Sequence, residues 1–343
     1  MEGIFTISLD FELHWGVFDK RDRQAREACY RNTLRIIPTL LELFSKYDVH
    51  VTWATVGSLF AHDRQEWEQL KPCTQPDYIN EKYSAYKWVE QHGLHDRYRW
   101  AHFAPESVAA ILQYPGQELG THTFSHYYCL EGLNGEDAFG ADLQAANRAA
   151  AKLGAKMKSL VFPRNQFNPN NLKACIENSI EVVRTNPDTW FWSPIANDGS
   201  SLLRKVFRTG DAYVPMGSGR MSYPLGRIAV RPGEPLQLPA SRLLRPWSPQ
   251  YKIANQLGLR RVMQELKTAA QQKECYHLWW HPENFGDYPE QNLEMLETVL
   301  KKYKEYKSRY GMKSWNMGEY AEHLLGDETK PATHSKVHTP PVH

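Results

Sequence analysis

No apolar run in this sequence approaches the roughly 20 residues needed to span a bilayer, so a transmembrane segment is excluded. Cysteine is scarce. The five thiols (Cys29, Cys73, Cys129, Cys175 and Cys275) are odd in number, widely separated and never at CxxC spacing, which reads as free thiols of a reducing compartment. An excess of charge of one sign is also missing: 41 Lys and Arg stand against 39 Asp and Glu, interspersed along the chain. Nucleic-acid binding needs a concentrated basic face, and none is visible. Met1-Glu2-Gly3 runs straight into the strand-like Ile4-Phe5-Thr6-Ile7-Ser8-Leu9 without a basic leader, so no secretory signal is expected. Together these absences predict a soluble, cytoplasmic protein.

What the sequence does contain is length and tryptophan. Its 343 residues can bury a core without disulfide or metal staples. Eleven Trp and 18 Tyr are many for that size. They fit either ordinary core packing or a partly wet surface, where flat rings with a polar edge are useful.

Short β-branched stretches alternate with amphipathic ones. Ile4 to Leu9, Val49 to Val56, Gln117 to Gly120, Ser159 to Phe162, Ile180 to Val183 and Cys275 to Trp280 read as strands. Helical spacing is present over Leu34 to Phe44 (with Pro38 marking a start or kink), Pro105 to Gln113, Glu136 to Leu153, Pro169 to Asn178, Ile253 to Gln272 and Pro289 to Tyr310. Repeated strand-then-helix order predicts a parallel sheet covered by helices, as an open doubly wound sheet or a barrel. Two stretches lack a steady period, about 62–104 and 187–249, and are expected to be insertions over one face. One catalytic unit would then occupy residues 1–325, and the polar, Pro-rich 326–343 would be a disordered tail.

Chemistry-bearing side chains fall just past several predicted strand ends, the edge where parallel α/β proteins build their sites. The first strand runs into Asp10-Phe11-Glu12, and period two turns both carboxylates the same way. The third runs into Gly120-Thr121-His122-Thr123-Phe124-Ser125-His126, where two His four apart on one helical turn could grip a metal ion. The last ends in Trp279-Trp280-His281-Pro282, and Pro282 stops pairing and leaves His281 at the rim. Each motif alone has a plain alternative: solvated loop carboxylates, a capping or core histidine, a turn histidine. Their coincidence at strand ends is what points to an open catalytic metal site.

The ordered set of Asp-x-Glu (Asp10, Glu12), HxxxH (His122, His126), Phe162-Pro163-Arg164-Asn165-Gln166, Asp188-Thr189-Trp190 and a late Trp280-His281-Pro282 resembles the polysaccharide deacetylases, the NodB-like carbohydrate esterase family four. The resemblance covers Ile4 to about Leu325. It implies a distorted (β/α) barrel with long loop insertions, and a hydrolase that removes acetyl groups from sugars with a divalent metal, most often Zn2+. It implies His122 and His126 as metal ligands, Asp10 as general base, His281 as general acid, Arg164 orienting the base and Asp188 tuning the acid. The family's usual first motif is two adjacent aspartates, but Phe11 holds the second position here. The acid-x-acid form assigns the ligand role to Glu12, with the choice between Asp10 and Glu12 left open.

Aromatic rings flanking the motifs, Trp15, Trp190 and Trp280, are expected to stack on sugar faces. A cytoplasmic setting suggests an N-acetylated nucleotide sugar, a lipid-linked glycan or another precursor of surface polysaccharide, of the O-antigen or capsule type, with at most peripheral membrane contact. Two rival functions remain open: a metal-dependent amidase or deformylase acting on a small non-acetyl substrate, and a metal-free pseudoenzyme that only holds carbohydrate.

Overall fold

The computed structural model describes residues 2–133, 135–187, 190–193, 196, 202–211, 221–228 and 230–326. Asp188, the interior of the second expected insertion and the tail beyond Gly326 lie outside the described residues. Among the described residues nine strands are formed: β1 (Ile4–Phe11), β2 (Val51–Thr55), β3 (Gln117–Thr121), β4 (Ser159–Val161), β5 (Val182–Thr185), β6 (Leu236–Pro239), β7 (Arg242–Leu243), β8 (Cys275–Trp280) and β9 (Lys313–Ser314). All named pairings are parallel, in the order β6-β5-β4-β3-β2-β1-β8-β7, with β9 added beside the start of β1.

This sheet is curled almost shut. β6 and β7 sit at opposite ends of the strand order, yet only Ala240 and Ser241 separate them in sequence. The Ala240 N–H bonds to the Thr185 carbonyl on β5, and the next N–H, that of Ser241, bonds to the His277 carbonyl on β8. Adjacent residues can serve both edges only if those edges lie side by side, as in a distorted barrel.

Strand parity then sorts the side chains. On β1, Phe5, Ile7, Leu9 and Phe11 point outward into the main core, where helices such as Glu27–Tyr47 and Pro289–Tyr310 cover the sheet. Ile4, Thr6, Ser8 and Asp10 point the other way, into the barrel. On β8 the same alternation sends Tyr276, Leu278 and Trp280 outward, and Cys275, His277 and Trp279 inward. The helix Met317–Leu324 closes the end away from the site: Tyr320 bonds Thr6 (2.8 Å) and packs with Ile4, Ala54 and Val161.

The helix expectations hold to within a few residues except at Leu34 to Phe44, where the helix begins seven residues earlier, at Glu27, and carries Pro38 on its exposed side. Larger differences lie in the two aperiodic stretches. The first contains the short helices Arg64–Leu70, Ala85–His92 and Arg99–His102. The second supplies β6 and β7, so it completes the barrel wall instead of only covering it. Those strands are two and four residues long, too short for a period-two pattern to register. No helix among the described residues is long and apolar enough to cross a membrane.

Candidate active site

The mouth of the barrel gathers Asp10, Glu12, His122, His126 and His281. Glu12 follows the end of β1, and its Oε2 lies 3.3 Å from His122 Nε2 and 3.1 Å from His126 Nε2. The three donor atoms lie within 4.8 Å of one another, and all three residues are buried. Two atoms each at a normal bond length from one tetrahedral zinc are about 3.3 Å apart, so the spacing suits a single ion.

The chemistry of the donors agrees with the spacing. His122 Nδ1 is 2.7 Å from the Val161 carbonyl, which can only accept, so Nδ1 carries a proton and Nε2 is the ring nitrogen turned to Glu12. Burial drives His126 down to about 4, against the pull of Glu12, which keeps this imidazole neutral at physiological pH. Burial would raise Glu12, but His281, His126 and His122 hold it well below the carboxylate range. A carboxylate with two imidazoles is an open catalytic donor set.

The two histidines are not on a helical turn. The loop between β3 and the helix Gly135–Ala151 is irregular, with Thr123 (φ 63°) and His126 (φ 58°) left-handed. Buried Asp142 of that helix holds it: its carboxylate accepts from the N–H of Phe124 (2.6 Å) and the hydroxyls of Ser125 (2.5 Å) and Tyr86 (3.2 Å). The hydroxyls of Thr121 and Thr123 accept from the N–H groups of Thr123 and Tyr127. Left-handed backbone at non-glycine residues is strained and persists where its surroundings fix it, which these bonds do.

Glu12 is held from two sides. Buried Glu283, two residues past His281, accepts the backbone N–H of Glu12 (2.9 Å) and that of Leu13. Burial, reinforced by Glu12 nearby, pushes Glu283 up to about 8. Beneath the carboxylate lies Gly16, where a Cβ would fall on Glu12 Oε1.

Asp10 is paired with Arg184, not with Arg164. Arg184 donates Nη1 to Oδ1 and Nη2 to Oδ2, both at 2.7 Å, and bonds Ser8 (3.0 Å), while its guanidinium rests on Trp279. Burial alone would raise the Asp10 carboxyl; Arg184, with His122 and His281, lowers it. Arg164 donates instead to Asp19 (2.7 Å) and lies 4.2 Å from the ring centre of Tyr128, whose edge-on contact backs His126. The arginine in contact with Asp10 is thus one the motif reading passed over, not Arg164. Its signal was present: an arginine closing the apolar Val182-Val183-Arg184 is unusual in a buried strand.

His281 Nε2 is 3.8 Å from Asp10 and 3.6 Å from Glu12. Its side chain is 29% exposed, against 9% or less for the two carboxylates and the other two histidines, so access to the cluster runs past His281.

The tryptophan expectation needs correction. Trp15 is buried, its indole N–H bonds the His102 carbonyl, and it stacks on Trp67. Trp280 points outward by strand parity and stacks on Phe285. Neither has a free face for a sugar, and the inward-facing neighbour is Trp279. Of the three rings only Trp190 is open, at 50% exposure. Most of the tryptophan surplus is therefore core.

No family model matches the sequence, and no curated protein matches it in a sequence search. Solved structures do match. A Mycobacterium smegmatis protein assigned as a polysaccharide deacetylase aligns over 100% of this chain and 96% of its own, with a TM-score of 0.58 and 14% identity. A Pseudomonas aeruginosa protein assigned the same way aligns over 96% of this chain and 92% of its own, with a TM-score of 0.55 and 12% identity. The PuuE allantoinase aligns over 96% and 91%, with a TM-score of 0.52 and 11% identity. The chain therefore has the fold of the polysaccharide deacetylases, shared with the PuuE allantoinase, and at these identities the likeness speaks to the fold alone.

Proposed function

We propose that this protein is a metal-dependent deacetylase that hydrolyses the N-acetyl group of a sugar or glycan precursor. The observation that carries this reading is the approach of Asp10 and His281 to the Glu12, His122 and His126 cluster in one mouth. Glu12 stands where the change to Phe11 would otherwise leave the family's carboxylate missing, which favours an active site over a metal-free pseudoenzyme.

Glu12, His122 and His126 would hold the ion, zinc by its preference for this donor set, and when bound it would polarise an acyl carbonyl and make water easier to deprotonate. Asp10, kept anionic by Arg184, accepts the proton of the water that attacks the acyl carbon. An amine is a poor leaving group unless protonated, and His281, the most accessible of the five, donates that proton, histidine being the side chain suited to exchange near neutrality. Arg184 positions the base, and Glu283 and Gly16 position the carboxylate ligand. Trp190 offers an open ring at the rim for a sugar face.

The substrate that fits a cytoplasmic chain is a nucleotide sugar or lipid-linked intermediate of surface-polysaccharide synthesis. The test is acetate release from a panel of such N-acetylated compounds by the zinc-loaded protein. Release of formate or ammonia in place of acetate would establish the amidase alternative, and no metal-stimulated hydrolysis at all would establish the pseudoenzyme.

A further inference from the structure

Beside the mouth, between residues 13–24 and residues 81–98 of the first insertion, lies a cavity of about 640 Å³ that the proposed chemistry does not use. Four cations line it: Arg21, Arg23, Lys82 and Lys87. None of them makes an ion pair within 4.0 Å among the described residues. Three carboxylates also line it: Asp19 pairs with Arg164, Asp22 accepts the N–H of Gln24 while its charge also acts on Arg23, and Glu81 completes the set.

Arg23 is built into this wall. It is wedged between Trp88 (5.1 Å) and Tyr98 (4.0 Å), Nη1 donates to the Gly93 carbonyl (2.9 Å) and faces His102 Nε2 (3.2 Å), and Nη2 donates to the His92 carbonyl (3.0 Å). A guanidinium has five N–H donors; these bonds and a side-chain hydrogen bond to Tyr98 engage four of them, which leaves one N–H for an oxyanion. His14, also in the lining and 1% exposed, has a buried Nε2 with no partner. A fixed arginine without an ion pair, an orphaned imidazole nitrogen and three further cations, against three carboxylates of which one is paired with Arg164, form an anion receptor.

We infer that this cavity is a subsite for the phosphate or diphosphate group of the substrate. His14 is two residues from Glu12 on the turn that carries the carboxylate ligand, and Phe18 of the same lining stacks on Tyr128, which backs His126. A phosphoryl group held there anchors a sugar whose acyl group reaches the mouth. The inference rests on the deacetylase reading only in treating the ligand as part of the substrate; the binding itself needs no turnover. A nucleoside diphosphate and a lipid-linked diphosphate share this chemistry.

The test is calorimetric titration of the full-length, zinc-loaded protein with inorganic pyrophosphate, uridine diphosphate and a short isoprenyl diphosphate. Pyrophosphate should bind, and its affinity should fall about tenfold or more in Lys82→Gln/Lys87→Gln, since two charge-assisted contacts to the anion are removed. Both lysines are exposed, so the melting temperature of that variant should stay at the wild-type value. Arg23→Lys, which keeps the charge but loses the planar guanidinium that Gly93, His92 and Tyr98 hold in place, should also weaken binding. Tighter binding of the uridine or of the isoprenyl compound identifies the source of the phosphate. Absence of pyrophosphate binding, or equal affinity in the wild type and Lys82→Gln/Lys87→Gln, overturns the inference. Binding abolished by His126→Ala but untouched by the lysine changes also overturns it, by placing the anion on the metal cluster. A protein that binds diphosphate through these lysines yet releases no acetate defeats the deacetylase reading and leaves this one standing.

Discussion

Arg184 and Asp10 form a two-bond ion pair, 2.7 Å on each arm, with both side chains almost wholly buried. The two residues lie on β5 and β1, which are separated in the sheet by β4, β3 and β2. In a flat sheet four strand spacings would put them about 19 Å apart. They meet because the sheet curls and both point into its interior.

Removing the guanidinium leaves a buried carboxylate without its counter-charge. Arg184→Ala should therefore destabilise the fold by about 3–5 kcal/mol and reduce kcat by two orders of magnitude or more. Arg184→Lys should recover part of the stability but little of the rate, because an ammonium cannot reproduce the fork. Denaturant unfolding and steady-state kinetics on the same preparations separate the two effects, whereas Arg164→Lys should leave the Asp10 chemistry nearly intact.

Metal binding and turnover should part company along the division of roles. His122→Ala, His126→Ala and Glu12→Ala are expected to lose both metal and activity. Asp10→Asn and His281→Ala should retain stoichiometric metal while losing turnover. Elemental analysis of the purified variants decides this, and a His122→Ala protein that keeps a full complement of metal contradicts the ligand assignment.

Gly16→Ala tests how tightly the Glu12 carboxylate is held. The added methyl falls on Oε1, so the carboxylate must move off the two imidazoles. Metal affinity should drop at least about tenfold, comparable with losing a supporting contact to a ligand, while far-ultraviolet circular dichroism remains that of the wild type.

Trp190 and Trp15 should behave oppositely. Trp190→Ala removes an exposed ring and, if that ring holds the sugar as proposed, should raise KM with little change in kcat or stability. Trp15→Ala empties a buried site against Trp67 and His102 and should cost about 3–5 kcal/mol of stability. Thermal melts together with substrate saturation curves distinguish rim from core.

Stability should also depend on pH through a contact far from the mouth. His50, just before β2, lies 2.8 Å from Glu319 on the helix that closes the barrel, and the bond to Glu319 raises its pKa above 6.5 against the effect of burial. A histidine whose pKa is higher folded than unfolded stabilises most below the unfolded value, and that contribution fades as pH rises through the folded value. The stability difference between the wild type and His50→Gln, measured by urea unfolding, should therefore be largest near pH 5.5 to 6 and shrink toward pH 9.

The strand-end positions of Asp10, Glu12, His122, His126 and His281 were legible from the sequence, because strand and helix periods are local properties and parallel α/β chains place their chemistry at one edge. So were six of the nine strands among the described residues and their parallel arrangement. The partner of Asp10 was not legible. Neighbouring motifs favoured Arg164, but reach is set by the curvature of the sheet, which brings Arg184 across the barrel and turns Arg164 toward Asp19. Parity within β8 was readable in principle, yet only the packed sheet shows which face is the interior, and that decided between Trp279 and Trp280. Short-range pattern thus determined which residues stand at the mouth, while closure of the barrel, a sum of weak contacts between distant segments, decided which of them touch.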